Sequence, residues 1–396
     1  MSLDVSRYTK ILDGVEGRGP EMLERLIHWG NINSGSGNPP GLMRMFEELK
    51  QVFSAWDVDI NVVMVNGSTS AILHIVNERP DARKRILFSG HMDTVYEPDH
   101  PFQTCRLSED QRFLHGPGVA DMKGGLLVML ESIFAFENYG PSRDVAWEII
   151  ISPDEETGSV GSGPLLKEAA DRCDLGLVFE PALEDGSFAR SRPGNSAYTA
   201  KATGRASHVG RHINEGRNAL EALCDVSMKV SAAIRDIPGA ICNLGKIEGG
   251  GAVNVVPDSG EASFNIRVRR AQDIETVEEL LATVSEKVEK ERGVQIEWSG
   301  GFSQPPKEIG PEAEAMFAAY SECANALGMN IGWKDTGGCC DGNKLAAAGL
   351  VNLDTLGVNG GGIHSDREFM EIDSLISNTK RTALFLMAVA DGSLEL

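Results

Sequence analysis

Residues 86–98, ILFSGHMDTVYEP, begin as an apolar strand and end with a histidine and an aspartate one residue apart. Side chains two positions apart in an extended chain point the same way, so His91 and Asp93 can share one side of the strand end. Taken alone, the pattern also suits a solvated loop that carries two polar residues. The segments around it decide between these two interpretations.

Strands alternate with helices on both sides of this stretch. Strand-like runs occur at DINVVMV, SAILHIV and RILFSG, and acidic residues end the strands in VAWEIIISPDEETGS and CDLGLVFEPA. This alternation predicts an α/β fold with a mixed, largely parallel sheet flanked by helices. Ligands of such sheets bind beyond the carboxyl ends of the strands. That is where the pattern places His91, Asp93, Glu155, Glu156 and Glu180.

The pattern changes near Arg192. A strand-like alternation follows in SAYTAKATG. After it come two helical segments and further strand-like runs at AICNLGKIEG, GEASFNIRVR and VQIEW. They predict a ferredoxin-like α+β block with two helices on an antiparallel sheet. Because the earlier pattern then resumes, we expect an inserted domain at residues 193–301 and a catalytic domain in two parts, residues 1–192 and 302–396.

Composition limits the classes of partner. The 396 residues are enough for two domains, and a net charge of -21 argues against nucleic acid or an anionic membrane surface as the main partner. No apolar run is long enough to span a bilayer, and the start MSLDVSRYTK lacks the apolar segment of a secretory signal. The cytoplasm is therefore the expected compartment, although a removed signal peptide would leave the same sequence. Seven scattered cysteines indicate reduced thiols.

Five candidate metal ligands lie at predicted strand ends or in loops: His91, Asp121, Glu156, Glu180 and His364. Two imidazoles and three carboxylates suit zinc first, with cobalt or manganese as alternatives. Taken singly, some of these residues have another interpretation: Asp121 could cap a helix, and the triplet DEE that contains Glu156 could be a solvated turn. Glu180, in contrast, would be costly to bury without a partner. The five together are more specific than any one.

The motifs HMDTV, GPGVADMKGG, SPDEETGS, FEP and GIHSD occur in that order. This series resembles the zinc-dependent metallopeptidases that include glutamate carboxypeptidase, succinyl-diaminopimelate desuccinylase and acetylornithine deacetylase. The resemblance covers nearly the whole chain and includes an inserted dimerisation or lid domain. It implies two divalent metal ions bridged by Asp121, which a cis peptide follows. His91 and Glu180 would complete one metal site, and Glu156 and His364 the other.

The resemblance also implies roles around the metals. Asp93 would orient the imidazole of His91, as metal-bound histidines usually require. Glu155 would be the general base that takes a proton from the attacking water and passes it to the leaving amine.

Three segments of the inserted domain, GRASHVG, GGGAVNVVP and SFNIRVR, resemble segments that complete the site in the same family. They imply that His208 stabilises the oxyanion in the neighbouring subunit of a homodimer formed through the lid domain. Asn254 and Arg267 would bind the substrate carboxylate. On the residues alone, His208 could be a surface histidine and Arg267 a solvated arginine.

The stretch TGGCCDGNKLAAAG departs from the family, whose members usually have small or hydroxyl residues before the aspartate. Cys339 and Cys340 could be small buried apolar residues, oxidisable thiols near the metals, or residues that alter the substrate pocket.

The motifs GPGVAD and HSD look most like the glutamate carboxypeptidase branch. They imply hydrolysis of an amide bond in a peptide or N-acyl amino acid that bears a free carboxylate. One alternative is an N-acyl amino acid deacylase of the acetylornithine deacetylase or desuccinylase type. Another, from a different class, is a non-catalytic binding protein on the same fold, which need not keep Glu155 and the five ligands.

Overall fold

The computed structural model describes residues 3–65, 70–394 and 396. They divide into two units. The first takes the described residues within Met1–Ser191, Ile309–Thr336 and Cys340–Leu396, and the second takes Arg192–Glu308 and Gly337–Cys339. The chain therefore passes between the units four times. The expected inserted domain, residues 193–301, lies within the second unit.

The first unit is built on a six-stranded sheet with the order β1-β2-β6-β3-β7-β14. Strand β3 is parallel to β6 and β7, and β7 is parallel to β14, whereas β1 and β6 are both antiparallel to β2. The predicted mixed, largely parallel sheet is confirmed. Its strands are β1 (Asp59–Met64), β2 (Ala71–Asn77), β3 (Lys84–His91), β6 (Val145–Ser152), β7 (Leu175–Val178) and β14 (Asn352–Leu353).

Two small sheets complete the strands of this unit. One has the order β15-β16-β5-β4, and the other joins β13 and β8. Their strands are β4 (Arg106–Leu107), β5 (Phe113–His115), β8 (Phe188–Ala189), β13 (Trp333–Lys334), β15 (Gly360–Gly361) and β16 (Phe369–Glu371).

Helices flank the large sheet, and the two most buried of them, α4 and α11, pack against each other. The run LLVMLESIFAF is apolar on nearly all sides, which is typical of a helix enclosed by protein. At the start of α4, a Cβ on Gly125 would lie 1.9 Å from the carbonyl oxygen of Phe179. Only glycine lets this helix approach the end of β7 so closely. The helices are α1 (Thr9–Gly17), α2 (Gly19–Gly30), α3 (Pro39–Phe53), α4 (Lys123–Glu137), α5 (Gly163–Ala170), α9 (Pro311–Ala326), α10 (Asp341–Ala347) and α11 (Asp373–Ala390).

The second unit is a four-stranded antiparallel sheet in the order β10-β11-β9-β12, with its own apolar core. Two long helices contribute to that core, as the two helical segments of the sequence predict. The elements are β9 (Gly194–Thr203), α6 (Val209–His212), α7 (Ala219–Ile234), β10 (Ile241–Gly249), β11 (Ser259–Val268), α8 (Gln272–Arg292) and β12 (Gln295–Gln304).

A short segment from later in the chain, Gly337–Cys339, also belongs to the second unit. Arg192 Nη1 donates a hydrogen bond to the carbonyl oxygen of Gly338 at 3.2 Å. Arg267 Nη1 donates to the carbonyl oxygen of Gly337. These contacts hold Gly337 and Gly338 within this unit, although both residues come much later in the chain than its strands.

Throughout the part of the chain that the structure describes, every helix is too short or too polar to cross a lipid bilayer.

Candidate metal centre

All five predicted metal ligands lie in the first unit. Three follow neighbouring strands of the large sheet: His91 ends β3, Glu156 lies in the 3₁₀ turn after β6, and Glu180 follows β7. Asp121 precedes α4, and His364 lies in the loop between β15 and β16. The sheet order places β6, β3 and β7 side by side, so their carboxyl ends converge on one edge.

Asp121 lies between the two histidines. Its Oδ1 is 3.1 Å from His91 Nε2, and its Oδ2 is 3.3 Å from His364 Nε2. Glu180 Oε2 lies 3.8 Å from His91 Nε2, and Glu156 Oε2 lies 3.1 Å from His364 Nε2. The structure therefore brings the five side chains together, with one carboxylate oxygen of Asp121 facing each histidine.

These residues fit a divalent cation. The candidate ligand atoms of His91, Asp121 and Glu156 lie within 4.8 Å of one another. Glu156 Oε1 is buried and has no hydrogen-bond partner among the described residues. A buried carboxylate oxygen without a partner is costly, and a bound cation would remove that cost.

The electric field at this edge also favours positive charge. Hydrogen bonds to Asp121 and Glu156 raise the pKa of His364 to about 10, although burial opposes the shift. Burial lowers the pKa of His91, but its contacts with Asp121, Asp93 and Glu180 outweigh burial and raise that pKa well above the usual value. A site that stabilises two protonated imidazoles so strongly is also electrostatically suited to metal ions.

Asp93 is fully buried and makes contacts on two sides. His91 Nδ1 lies 3.0 Å from the backbone carbonyl oxygen of Asp93 and 3.4 Å from its carboxylate Oδ1. The carboxylate accepts hydrogen bonds from the backbone nitrogens of Glu155 and Glu156, both at 3.1 Å, and from Ser36 Oγ at 2.8 Å. Asp93 thus contacts the histidine mainly through its carbonyl group, while its carboxylate holds the acidic turn.

Glu155 begins that turn, and its candidate ligand atom lies within 4.8 Å of those of His91 and Glu180. Burial and then the nearby Glu180 carboxylate raise the pKa of Glu155 well above its ordinary value, while His91 opposes the shift. A carboxylate with a raised pKa is suited to proton transfer near neutral pH.

Sequence reasoning missed Glu368, which is fully buried. Its carboxylate accepts hydrogen bonds from the backbone nitrogens of Gly118, Ala120 and Asp121 at 3.1, 2.8 and 3.0 Å. It also accepts one from Tyr96 Oη at 2.7 Å. Glu368 therefore holds the segment that leads to the central aspartate, which is followed by a cis peptide bond. The only sequence signal was an acid four residues after the histidine of GIHSD.

The other three predicted site residues lie in the second unit. The segments that carry His208 and Asn254 are neighbours, because Val209 donates its backbone N–H to the carbonyl oxygen of Asn254 at 3.0 Å. The side chain of His208 is exposed and caps α6 by accepting a hydrogen bond from the backbone nitrogen of Gly210 at 3.2 Å. Arg267 lies on β11, where Nη1 donates to the Gly337 carbonyl group. Their roles toward substrate stay predictions.

The two adjacent cysteines have different surroundings. Cys340 is buried in an apolar cluster of the first unit, and its Sγ donates to Asp354 Oδ2 at 3.2 Å. Cys339 belongs to the second unit, where its Sγ donates to the carbonyl oxygen of Pro193 at 3.0 Å. Cys340 thus matches the interpretation as a small buried residue, and the two thiols contact different parts of the chain.

Comparisons with known proteins agree with this geometry. The model of a family described as "Peptidase family M20/M25/M40" matches residues 87–388. A carboxypeptidase G2 from Pseudomonas sp. (strain RS-16) is 27% identical over 388 residues, which cover 93% of this chain and 89% of that protein. A succinyl-diaminopimelate desuccinylase from Psychrobacter arcticus is 24% identical over 327 residues, or 78% of this chain and 79% of that protein. The crystal structure of a tripeptidase from Staphylococcus aureus has the same fold, with a TM-score of 0.78 and 24% identity over 94% of this chain and 99% of that one.

Proposed function

We propose a substrate class for this chain, which belongs to peptidase family M20/M25/M40 and is a metal-dependent hydrolase. The chain would cleave an amide bond of a peptide or N-acyl amino acid that bears a free carboxylate. The preferred substrates would be amides of a C-terminal glutamate, as in a glutamate carboxypeptidase. The observation that carries the proposal is the position of Asp121 between His91 and His364, close to the acidic turn of Glu155 and Glu156.

Asp121 would hold two metal ions, with His91 and Glu180 completing one site and Glu156 and His364 the other. The mixture of imidazole and carboxylate donors favours zinc, with cobalt and manganese as alternatives. When bound, the ions supply Lewis acidity, which lowers the pKa of water and polarises the substrate carbonyl group.

Glu155 performs the proton transfer in this proposal. Its carboxylate takes the proton from the attacking water and then donates that proton to the nitrogen of the leaving amine, so one residue serves both halves of the reaction. The backbone hydrogen bonds from Glu155 and Glu156 to Asp93 keep this carboxylate at a fixed place beside the ligands.

Asn254 and Arg267 would bind the free carboxylate of the substrate, the planar guanidinium of Arg267 being suited to a paired contact. His208 would stabilise the oxyanion in the site of a second copy.

A homodimer is supported by β10, which lies at the edge of the sheet of the second unit. Nearly all of its residues are exposed, including Ile241, Leu244 and Ile247. An exposed edge strand offers unpaired backbone groups to another chain, and the three apolar side chains of β10 would be covered by such pairing.

A deacylase is the second candidate, because the desuccinylase relative covers 78% of this chain at an identity close to that of the carboxypeptidase relative. Both candidates use the same metals and the same base, so the substrate distinguishes them.

A hydrolysis screen tests the proposal. Glutamyl peptides, N-acyl glutamates, N-acetylornithine and N-succinyl-diaminopimelate would each be assayed with zinc, cobalt and manganese, and a Glu155→Gln preparation would serve as the blank. Highest kcat/KM on amides of C-terminal glutamate is expected. Preference for the acetyl or succinyl diamino acids would identify a deacylase. Binding of such ligands without hydrolysis, in protein shown to hold two metal ions, would favour the non-catalytic alternative.

A further inference from the structure

The acidic turn that carries Glu155 and Glu156 is attached at both ends to one buried carboxylate. Asp341 Oδ1 accepts a hydrogen bond from Ser159 Oγ, just after the turn. Asp341 Oδ2 lies 3.4 Å from Ser152 Oγ, at the end of β6 just before the turn. Asp341 is itself buried, with 2% of its surface exposed.

The turn needs such an attachment because the backbone of Ser159 has an unfavourable conformation. Gly158 and Ser159 have φ values of 94° and 47°, both in the left-handed region. A non-glycine residue persists in this region only where its surroundings hold it. For Ser159, the surroundings are the hydroxyl contact with Asp341 and a backbone hydrogen bond of 2.7 Å to the carbonyl oxygen of Asp154.

The position of Asp341 is fixed by the start of α10. Cys340 is the N-cap residue, and its Sγ accepts a hydrogen bond from the backbone nitrogen of Gly342 at 3.2 Å. Asn343 Oδ1 in turn accepts one from the backbone nitrogen of Cys340 at 3.1 Å. This reciprocal cap places the first helical residue, Asp341, against the serines. The unusual CCDGN stretch therefore has a structural purpose.

We propose that Asp341 is a positioning residue, which acts through Ser159 and Ser152 to hold the base Glu155 and the ligand Glu156 in their working places. The inference rests on the proposed function for the roles of those two glutamates, but the attachment itself can be measured without turnover. Asp93 restrains the same turn through its backbone nitrogens, so Asp93 and Asp341 restrain different atoms of one loop.

The experiment compares wild type with Asp341→Ala and Ser159→Ala. The Ser159 variant removes only the hydroxyl group, so it serves if Asp341→Ala does not fold. Glu148→Gln is the matched control, because Glu148 is a buried carboxylate on β6 whose hydrogen-bond partners are His74, Arg85 and Arg172, rather than proposed metal ligands. Hydrogen exchange of residues 153–162 in metal-free protein is read out by mass spectrometry. Co²⁺ binding is followed by visible absorbance, and kcat and KM are measured on the best substrate found.

Both test variants should raise exchange in residues 153–162 by roughly tenfold, with little change elsewhere. They should also weaken Co²⁺ binding by about tenfold, as loss of a group that orients ligands does. The fall in kcat should exceed any rise in KM. It should be larger for Asp341→Ala, which loses the contacts with both serines, than for Ser159→Ala, which loses one. Glu148→Gln should leave the exchange of residues 153–162, the Co²⁺ affinity and the kinetic constants near wild type, even where it lowers the melting temperature.

Unchanged exchange in residues 153–162 and unchanged Co²⁺ affinity in a folded variant would overturn the proposal, as would equal effects from Glu148→Gln. If wild type bound Co²⁺ but hydrolysed no amide, the proposed function would fail. The exchange and Co²⁺ results would still decide the role of Asp341 in holding the turn.

Discussion

Asp93 Oδ1 accepts a hydrogen bond of 3.1 Å from the backbone nitrogen of Glu155. The end of β3, which supplies the proposed ligand His91, is thereby joined to the turn after β6, which supplies the proposed base. Because β3 and β6 are parallel neighbours in the sheet, the proposed ligand and the proposed base are held in register although they are far apart in sequence.

Replacing Glu155 with Gln should lower kcat by at least ~10²–10⁴-fold, because the change removes proton transfer without removing a proposed ligand. Metal content, measured by mass spectrometry on the purified protein, should stay near normal. Glu168→Gln, an exposed glutamate on α5, is the control and should retain full activity. A Glu155→Gln enzyme with near-wild-type kcat would refute the assigned base.

Zinc-soaked crystals should contain two ions roughly 3.5–4 Å apart, the usual spacing of a two-metal hydrolytic site, with Asp121 between them. In solution, Asp121→Ala should lose affinity for both ions, whereas Glu156→Ala should lose one. Equilibrium dialysis with metal analysis measures this, with the exposed Asp110→Ala as control. An Asp121 side chain that points away from the ions in a loaded crystal would contradict the bridge.

Glu368→Ala should weaken metal binding by about 10- to 100-fold, although Glu368 is not itself a proposed ligand. Its carboxylate accepts three backbone N–H groups of the segment that leads to Asp121, so its loss frees the shared ligand. A Co²⁺ titration measures the change. Wild-type affinity in the folded variant would show that the segment keeps its place without Glu368.

A mixture of two inactive variants should regain activity if His208 serves the neighbouring subunit. His208→Ala and Glu155→Gln homodimers are each expected to be inactive, but a heterodimer has one site with both an intact base and an intact histidine. Subunits need time to exchange, and two affinity tags would confirm the heterodimer. Confirmed heterodimers that show no recovered activity would mean that His208 acts within its own chain or not at all.

The stability of the fold should depend on pH through the ionisation of Glu148. Burial opposes ionisation of this residue, but His74, Arg172 and Arg85 outweigh it and lower its pKa to about 2. A lowered pKa means that the ionised group stabilises the fold above about pH 4.3, its ordinary pKa, and that this stabilisation is lost as pH falls toward 2.

The free energy of unfolding in urea, measured on metal-free protein, checks this dependence. At pH 7, Glu148→Gln should be less stable than wild type by about 1–3 kcal/mol, because the arginines lose a charged partner. The difference should shrink as pH falls from 4.5 to 3. A difference that stays constant with pH would show that ionisation of Glu148 does not stabilise the fold.

The sequence predicted the large sheet well because its strands are apolar runs that end in polar residues. Such runs correspond to β1, β2, β3, β6 and β7, and proposed metal ligands follow three of them. The two- and three-residue strands of the smaller sheets were not predictable, since they are too short to show any periodicity.

Within the site, the residues that contact the proposed ions could be named from motifs, whereas the residues that hold those motifs could not. Glu368 and Asp341 act on backbone or hydroxyl groups 247 and 182 positions away, respectively. No local pattern encodes a contact of that separation. Asp93 was expected to orient the imidazole of His91, but only the folded chain reveals that its carboxylate also accepts two N–H groups of the acidic turn.

Because the second unit includes Gly337–Cys339, it is not formed by one continuous segment of the chain. A graft of residues 192–308 from this protein into a relative would leave this segment behind, separated from the Arg192 and Arg267 side chains that contact it. The two guanidinium groups would then meet a foreign loop. A chimaera intended to exchange specificity therefore has to move both pieces of sequence together.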